Sequence, residues 1–123
     1  MSSALPPATI LYLLVRSDLK MSKGKIVAQA VHAVSGVFFA ACDQPTSDFI
    51  HHTKNRTVIT LKVSGEAEMD TLLIRAKALG IPTYVQADAG LTQVAPDTRT
   101  VSAIGPVVDS APVRELFKHL KLL

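Results

Sequence analysis

The chain has 123 residues, of which 48% are hydrophobic and 19% are charged, and its net charge is +3. A chain of this length buries enough surface to fold as a domain without a disulfide or a structural metal. Its only cysteine is Cys42, which excludes an internal disulfide and a cysteine-rich zinc site. Aromatic residues make up 5% and tryptophan is absent, which argues against a nucleic-acid-binding protein built mainly on aromatic stacking.

Neither a signal peptide nor a membrane span is indicated. Residues 1–8 lack a positive segment followed by an apolar core, and they predict a short disordered tail before a single domain over residues 9–123. The least charged stretch, residues 26–42, is shorter than the ~20 apolar residues that cross a bilayer, and polar residues interrupt it. We therefore expect a cytoplasmic protein that does not contact a membrane.

The charge is concentrated in the first half of the chain. Residues 1–62 hold seven Lys or Arg against three Asp, a balance of +4, whereas residues 63–123 hold six against seven, a balance of −1. Arg16, Lys20, Lys23 and Lys25 lie within ten residues of one another. A polyanion is expected to meet this end of the protein first.

The hydrophobic pattern predicts alternating strands and helices. In chain order, the strands are expected at residues 10–15, 57–63, 82–86 and 100–107, and the helices at residues 23–41, 64–80 and 110–120. Ser22 and Ser64 are the expected N-caps of the first two helices. Residues 46–54 are ambiguous between a loop and a short helix capped by Ser47. The segment 87–99 is expected to be irregular.

This order predicts a three-layer α/β domain with a mixed, mostly parallel sheet of about four strands and helices on both faces. The first strand is a continuous apolar run, which is typical of a strand in the middle of a sheet. The third and fourth strands have no helix between them, so one strand is expected to be antiparallel.

The turn after the first strand is the first place to look for a ligand site, since ligands of open α/β sheets bind beyond the carboxyl ends of the strands. Gly24 and Lys25 resemble part of a phosphate-binding loop, but Leu19 and Ile26 occupy positions where that motif needs Gly and Ser or Thr. At about 100° per residue, a helix from residue 23 aligns four residues on one face, with the aliphatic side chains expected on the opposite, core-facing side. The four are Lys25, Gln29, His32 and Gly36. By itself this column is equally typical of a solvated helix face.

A second polar segment, residues 86–96 (QADAGLTQVAP), follows the third strand. If the first and third strands are parallel neighbours, Asp88 and Lys25 lie at the same edge of the sheet and can meet. Alone, the Asp88-Ala-Gly90 segment is also typical of an ordinary turn.

Several motifs, taken together and in order, resemble those of the archaeal and eukaryotic (type 2) peptidyl-tRNA hydrolases. They are residues 18–33 (DLKMSKGKIVAQAVHA), 76–80 (AKALG), 88–93 (DAGLTQ), 95–96 (AP), 104–106 (IGP) and 119–122 (HLKL). The resemblance covers residues 9–123. It implies a compact α/β fold and hydrolysis of the ester that joins a stalled peptide to tRNA.

The resemblance assigns the catalytic residues to Lys25, Gln29, Asp88 and Thr92. We hypothesise that Asp88 accepts a proton from water, that Lys25 stabilises the oxyanion, and that Gln29 and Thr92 orient the water or the ester. The expected contacts to the tRNA backbone are Lys20, Lys23, His32 and Arg99. One departure from the family's pattern bears on tRNA affinity or turnover: Leu91 replaces the usual Arg.

Two other functions remain open at this point. A non-catalytic relative of the same fold would bind tRNA or a protein without turnover, and a small-anion-binding protein would use only the start of the first helix. No feature of the sequence calls for a metal, an organic cofactor or DNA. Adjacent His51 and His52 point in different directions in either a helix or a strand, so they are not expected to form a paired metal site. A homodimer is compatible with the aliphatic composition, although a sheet covered on both faces buries as many aliphatic residues.

Overall fold

The computed structural model describes residues 5–90 and 94–123. In these residues the chain forms four strands and four α-helices. The strands are β1 (Thr9–Arg16), β2 (Arg56–Val63), β3 (Thr83–Ala87) and β4 (Arg99–Val108). The helices are α1 (Lys23–Ala40), α2 (Gln44–His51), α3 (Glu66–Ala78) and α4 (Ala111–Phe117), with a single 3₁₀ turn at Thr53–Asn55. None of these helices combines the length and apolarity that a bilayer crossing requires.

The strands form one mixed sheet in the order β2-β1-β4-β3, which confirms the predicted α/β class. β1 pairs with β2 in parallel, and β4 is antiparallel to both β1 and β3. Three strands thus share one direction, but only one of the three pairings is parallel, fewer than the prediction of a mostly parallel sheet implies. β1 and β3 are not neighbours, because β4 lies between them.

Side chains of β1 alternate between two core layers, as expected for a strand covered on both faces. Leu11, Leu13 and Val15 pack against the α1 and α2 side, whereas Tyr12 and Leu14 pack against the α3 and α4 side. The expected three-layer arrangement is therefore present.

The helix starts differ in part from the predicted caps. Ser22 caps α1 and accepts a hydrogen bond from the Lys25 backbone N–H at 3.2 Å, as predicted. The prediction that Ser47 caps the short helix is wrong: Asp43 does so, accepting from the Thr46 N–H at 3.0 Å. Ser64 does not cap α3 either: Gly65 is the N-cap residue, and the Ser64 N–H donates to Glu68 Oε1 at 2.8 Å.

The predicted core face of α1 is wrong in part. Val27 and Val31 are 62% and 59% exposed, whereas Gln29 is only 4% exposed. Since α1 packs mainly on β3 and β4, the flank with Val27 and Val31 borders a groove over β1 and β2 that none of the described helices fills, and it stays exposed. His32, from the predicted polar column, is exposed, whereas Gly36 contacts Tyr84 of β3.

Candidate active site

Three elements, α1, β3 and β4, meet at the end of the sheet where the carboxyl ends of β1 and β3 lie. β1 and β3 run in the same direction, so the chain leaves both at this edge, and the antiparallel strand β4 begins there. The first turn of α1 follows β1, and Asp88 comes directly after β3. Side chains from α1, β3 and β4 are therefore brought together, although α1 and Asp88 are far apart in sequence.

An ion pair joins α1 to the end of β3. Lys25 Nζ donates to Asp88 Oδ1, and the two side chains are only 10% and 7% exposed. The sequence-based expectation that these two residues meet is thus confirmed, although its premise was wrong, because β4 lies between β1 and β3.

Asp88 is fixed by its backbone as well as by its carboxylate. Its N–H donates to Thr98 O at 2.8 Å, and its carbonyl accepts from the Asp97 N–H at 2.7 Å. The Gly90 N–H donates to Asp88 Oδ2 at 2.7 Å. Gly90 has a φ of 79° and its Cα lies close against Pro96, where a Cβ would be 2.6 Å from the Pro96 nitrogen, so this turn requires glycine.

The hydrogen bond from Lys25 holds the pKa of the Asp88 carboxyl below its usual range, and the bond from the Gly90 N–H acts in the same direction. The carboxyl is therefore ionised at neutral pH. Because its folded-state pKa is lowered, the pair contributes to stability above the ordinary aspartate pKa of ~3.9, and this contribution is lost as the pH falls through the lowered value.

A buried chain of hydrogen bonds holds Gln29. Gln29 Nε2 donates to Thr100 Oγ1 at 2.8 Å, and Thr100 Oγ1 donates to the Gln86 carbonyl at 3.1 Å. Thr100 is fully buried, so its hydroxyl needs such partners. Thr100 was not predicted from the sequence; the signal that could have identified it is a threonine at the start of a mainly apolar, buried strand.

The other predicted site residues lie around this centre or outside the described part. Lys20 and Lys23 are exposed at the start of α1, and His32 is exposed on the same helix. Thr92, predicted to be catalytic, and Leu91 lie outside the described residues. The role of Thr92 stays a prediction.

Arg99, a predicted tRNA contact, belongs to an ionic cluster beside the site. Its guanidinium contacts Asp70 and lies 3.2 Å from Glu66 Oε1. Arg16 Nη1 donates to the Arg99 carbonyl at 3.0 Å, and Arg16 Nη2 donates to Asp18 at 2.7 Å. The cluster holds two guanidinium groups against three carboxylates and anchors the start of β4, the strand that carries Thr100.

The chemistry available here is electrostatic and acid–base. Residues 5–90 and 94–123 contain no group of three His, Cys, Asp or Glu side chains placed to hold a metal ion. The site instead offers a carboxylate, an ammonium group with three donors and an anchored amide, next to the positive end of a helix with exposed lysines. Such a set can orient a water molecule and stabilise negative charge on a carbonyl oxygen.

The family model described as "Peptidyl-tRNA hydrolase PTH2" matches residues 9–123. The chain is 38% identical over 112 residues to a peptidyl-tRNA hydrolase of Thermococcus sibiricus, covering 90% of this chain and 94% of that protein. It is 35% identical over 114 residues to a peptidyl-tRNA hydrolase of Methanocaldococcus jannaschii, covering 90% and 96%. A longer Dictyostelium discoideum protein, "Probable peptidyl-tRNA hydrolase 2", is 38% identical over 89% of this chain and 52% of its own length.

A solved structure of a protein of unknown function from Agrobacterium tumefaciens aligns with a TM-score of 0.58, covering 94% of this chain and 97% of that one. At 12% identity this likeness shows the fold alone. The fold belongs to the α/β class, and the order of the motifs and the sequence identities identify the chain as a hydrolase. The chain belongs to the peptidyl-tRNA hydrolase PTH2 family, as its sequence motifs indicated.

Thr100→Val should lower the free energy of unfolding by ~1–3 kcal/mol, because it leaves Gln29 Nε2 and the Gln86 carbonyl without their shared partner. Urea denaturation measures the change. Thr100→Ser, which keeps the hydroxyl, should recover most of the loss. Thr71→Val is the matched control: its hydroxyl donates to Ala67 O on the exposed face of α3, so a loss equal to that of Thr100→Val would contradict the assigned role.

Proposed function

We propose that this member of the family hydrolyses the ester between peptide and tRNA at the edge where α1, β3 and β4 meet, with Lys25, Gln29, Asp88 and Thr92 as its catalytic residues. The ion pair between Lys25 and Asp88 is the observation that carries the assignment. It places a carboxylate and a cation side by side at the carboxyl edge of the sheet, in a chain of this family. We also propose that residues 9–123 act as one catalytic domain.

In the proposed reaction, a water molecule beside Asp88 attacks the carbonyl carbon of the ester while its proton passes to the carboxylate. Negative charge then develops on the carbonyl oxygen, and the Lys25 ammonium stabilises it. The bond between the carbonyl carbon and the ribose oxygen breaks, and that oxygen takes the proton from Asp88. The products are a free peptide carboxyl and the 3′-terminal hydroxyl of the tRNA.

Lys25 can bind both Asp88 and the developing oxyanion, because an ammonium group has three donors and the contact to Asp88 uses one of them. The same contact makes Asp88 a weak base, since it lowers the pKa of the carboxyl. We therefore assign more of the rate enhancement to positioning and to oxyanion stabilisation than to proton abstraction.

Gln29 is suited to orientation. Its bond to Thr100 fixes the plane of the amide and uses one of the two hydrogens on Nε2. In this proposal the amide orients the water or the ester carbonyl, together with Thr92.

Lys25→Ala and Asp88→Asn should each slow the release of peptide from a purified peptidyl-tRNA by ~100-fold or more, because they remove the oxyanion partner and the proton acceptor. Single-turnover hydrolysis measures the rate, and circular dichroism checks the fold. Lys54→Ala and Glu115→Gln, which change exposed side chains on the 3₁₀ turn and on α4, are the controls. Folded Lys25 and Asp88 variants with near-normal turnover would refute the catalytic assignment.

The proposed tRNA-binding surface runs along α1, with Lys20 and Lys23 exposed at the start of the helix and His32 exposed in its middle. On the α3 side the carboxylates of the ionic cluster outnumber the guanidinium groups, so the tRNA phosphates are expected to favour the α1 side. Arg99 would have to exchange Glu66 or Asp70 for a phosphate to contribute, and it stays the least supported of the four contacts.

The affinity for tRNA should fall steeply with salt, and Lys20→Ala and Lys23→Ala should each reduce the slope of log K against log salt concentration by about 1. Binding isotherms of uncleaved tRNA at several salt concentrations give this slope. Lys77→Ala, in the last turn of α3, should leave it unchanged. An affinity that does not depend on salt would contradict the proposed surface.

We further propose that the protein works in the cytoplasm and pairs as a homodimer through the exposed aliphatic flank of α1. Val27 and Val31 border an apolar groove of about 590 Å³ between α1, Thr60 and Leu123. A second copy that buries this flank would remove large apolar surface from water.

Light scattering at micromolar concentration should give twice the monomer mass, and Val31→Glu should give the monomer mass, because a carboxylate in an apolar interface is strongly unfavourable. Ile74→Glu, on exposed α3, is the control. A wild-type protein of monomer mass would refute the dimer.

A further inference from the structure

The ring of Tyr84 lies flat on α1 at Gly36. A Cβ built on Gly36 would lie 2.5 Å from each of Cδ1, Cε1 and Cζ of Tyr84. A point equally distant from three adjacent ring carbons lies near the axis through the ring centre. Tyr84 therefore presents the face of its ring, not its edge, to the helix, and only a glycine leaves room for that approach.

Part of the ring remains exposed: Tyr84 is 39% exposed and belongs to β3, which is an edge strand of the sheet in the described residues. Since one face lies on Gly36, the exposed area belongs to the opposite face and the rim of the ring. A fixed aromatic ring with one covered face and one open face is a preformed stacking platform, because little side-chain entropy remains to be lost on binding.

Polar side chains connect this platform with the catalytic ion pair. Gln86 lies two residues after Tyr84 on the same face of β3, and His32 lies one turn before Gly36 on α1. We call the surface formed by His32, Tyr84 and Gln86 the α1–β3 crevice. From Tyr84 to Asp88 the chain rises ~13 Å along the strand direction.

We propose that the α1–β3 crevice is a subsite for the unpaired 3′ end of the tRNA, and that one of its terminal bases stacks on Tyr84. This inference rests on the proposed function, which places the ester between Lys25 and Asp88. The ester is attached to the ribose of the last nucleotide, so an unpaired strand that passes along the crevice carries a base over the ring. Stacking suits such a ligand because every base has a π-face.

The peptide half of the substrate is the less favoured occupant. The crevice is lined by an imidazole, an amide and a phenol ring, whereas the opposite flank of α1 carries Val27 and Val31 beside the apolar groove. Polar groups next to an aromatic face match a nucleobase, which offers both hydrogen-bonding edges and a flat surface.

Fluorescence tests the proposal directly, since the chain has two tyrosines and no tryptophan, and Tyr12 is only 3% exposed. Titration with the trinucleotide CCA should quench tyrosine emission in the wild type. Tyr84→Phe should still bind with similar affinity while the quenching disappears, because only Tyr12 then emits. Absence of CCA binding to the wild type up to millimolar concentration, or binding without quenching, would overturn the proposal.

Variants that change the affinity for CCA provide a second test of the subsite. Tyr84→Leu keeps a side chain on Gly36 but removes the ring, and it should weaken CCA binding by about 5- to 150-fold, the equivalent of one base–aromatic stack. Phe39→Leu, which changes an aromatic residue that is 90% exposed near the far end of α1, should not alter binding. Thermal unfolding checks that both variants are folded. Equal affinity of Tyr84→Leu and the wild type would overturn the proposal.

The two proposals fail in different experiments. Binding of CCA requires no turnover, so it tests the subsite even if the wild type does not cleave peptidyl-tRNA. With an active wild type, Tyr84→Leu should raise KM for peptidyl-tRNA far more than it lowers kcat. An unchanged KM would refute the subsite and leave the proposed function standing.

Discussion

The anchoring of Gln29 beside the Lys25–Asp88 ion pair depends on a single topological feature, the insertion of the antiparallel strand β4 between β1 and β3. An antiparallel strand reverses which of its ends lies at a given edge of the sheet. At the edge where β1 and β3 end, β4 begins, and its second residue is Thr100. The anchored Gln29 is therefore a direct consequence of this insertion.

The burial of the Lys25–Asp88 ion pair is better explained by its role in the proposed reaction than by its contribution to the stability of the fold. Removing two charges from water costs several kcal/mol per ion, and an ion pair in the interior frequently recovers no more than that. Asp88 is further constrained by the Gly90 N–H and by two backbone hydrogen bonds to the segment that returns to β4. These bonds hold the carboxylate in place and ionised. Such preorganisation benefits a reaction in which charge develops close by.

The sequence was informative about local structure and less so about which surfaces meet. Helical periodicity correctly aligned Lys25 with Gln29, because both depend only on the pitch of α1. It could not reveal that α1 lies near the β3 edge, which buries Gln29 and exposes Val27. Thr100 was missed for a related reason: attention to the carboxyl ends of strands overlooks a residue at the start of an antiparallel strand.

The position of α1 near the sheet edge gives the helix two unlike flanks. One flank faces β3 and carries the polar crevice that leads away from the ion pair, and the other carries exposed valines beside an apolar groove. Because Lys25 lies in the first turn, the polar flank begins beside the ion pair, where the proposed reaction takes place, and the valine flank is left for the second copy of the proposed dimer. A helix centred over the sheet would bury both flanks and leave neither surface exposed.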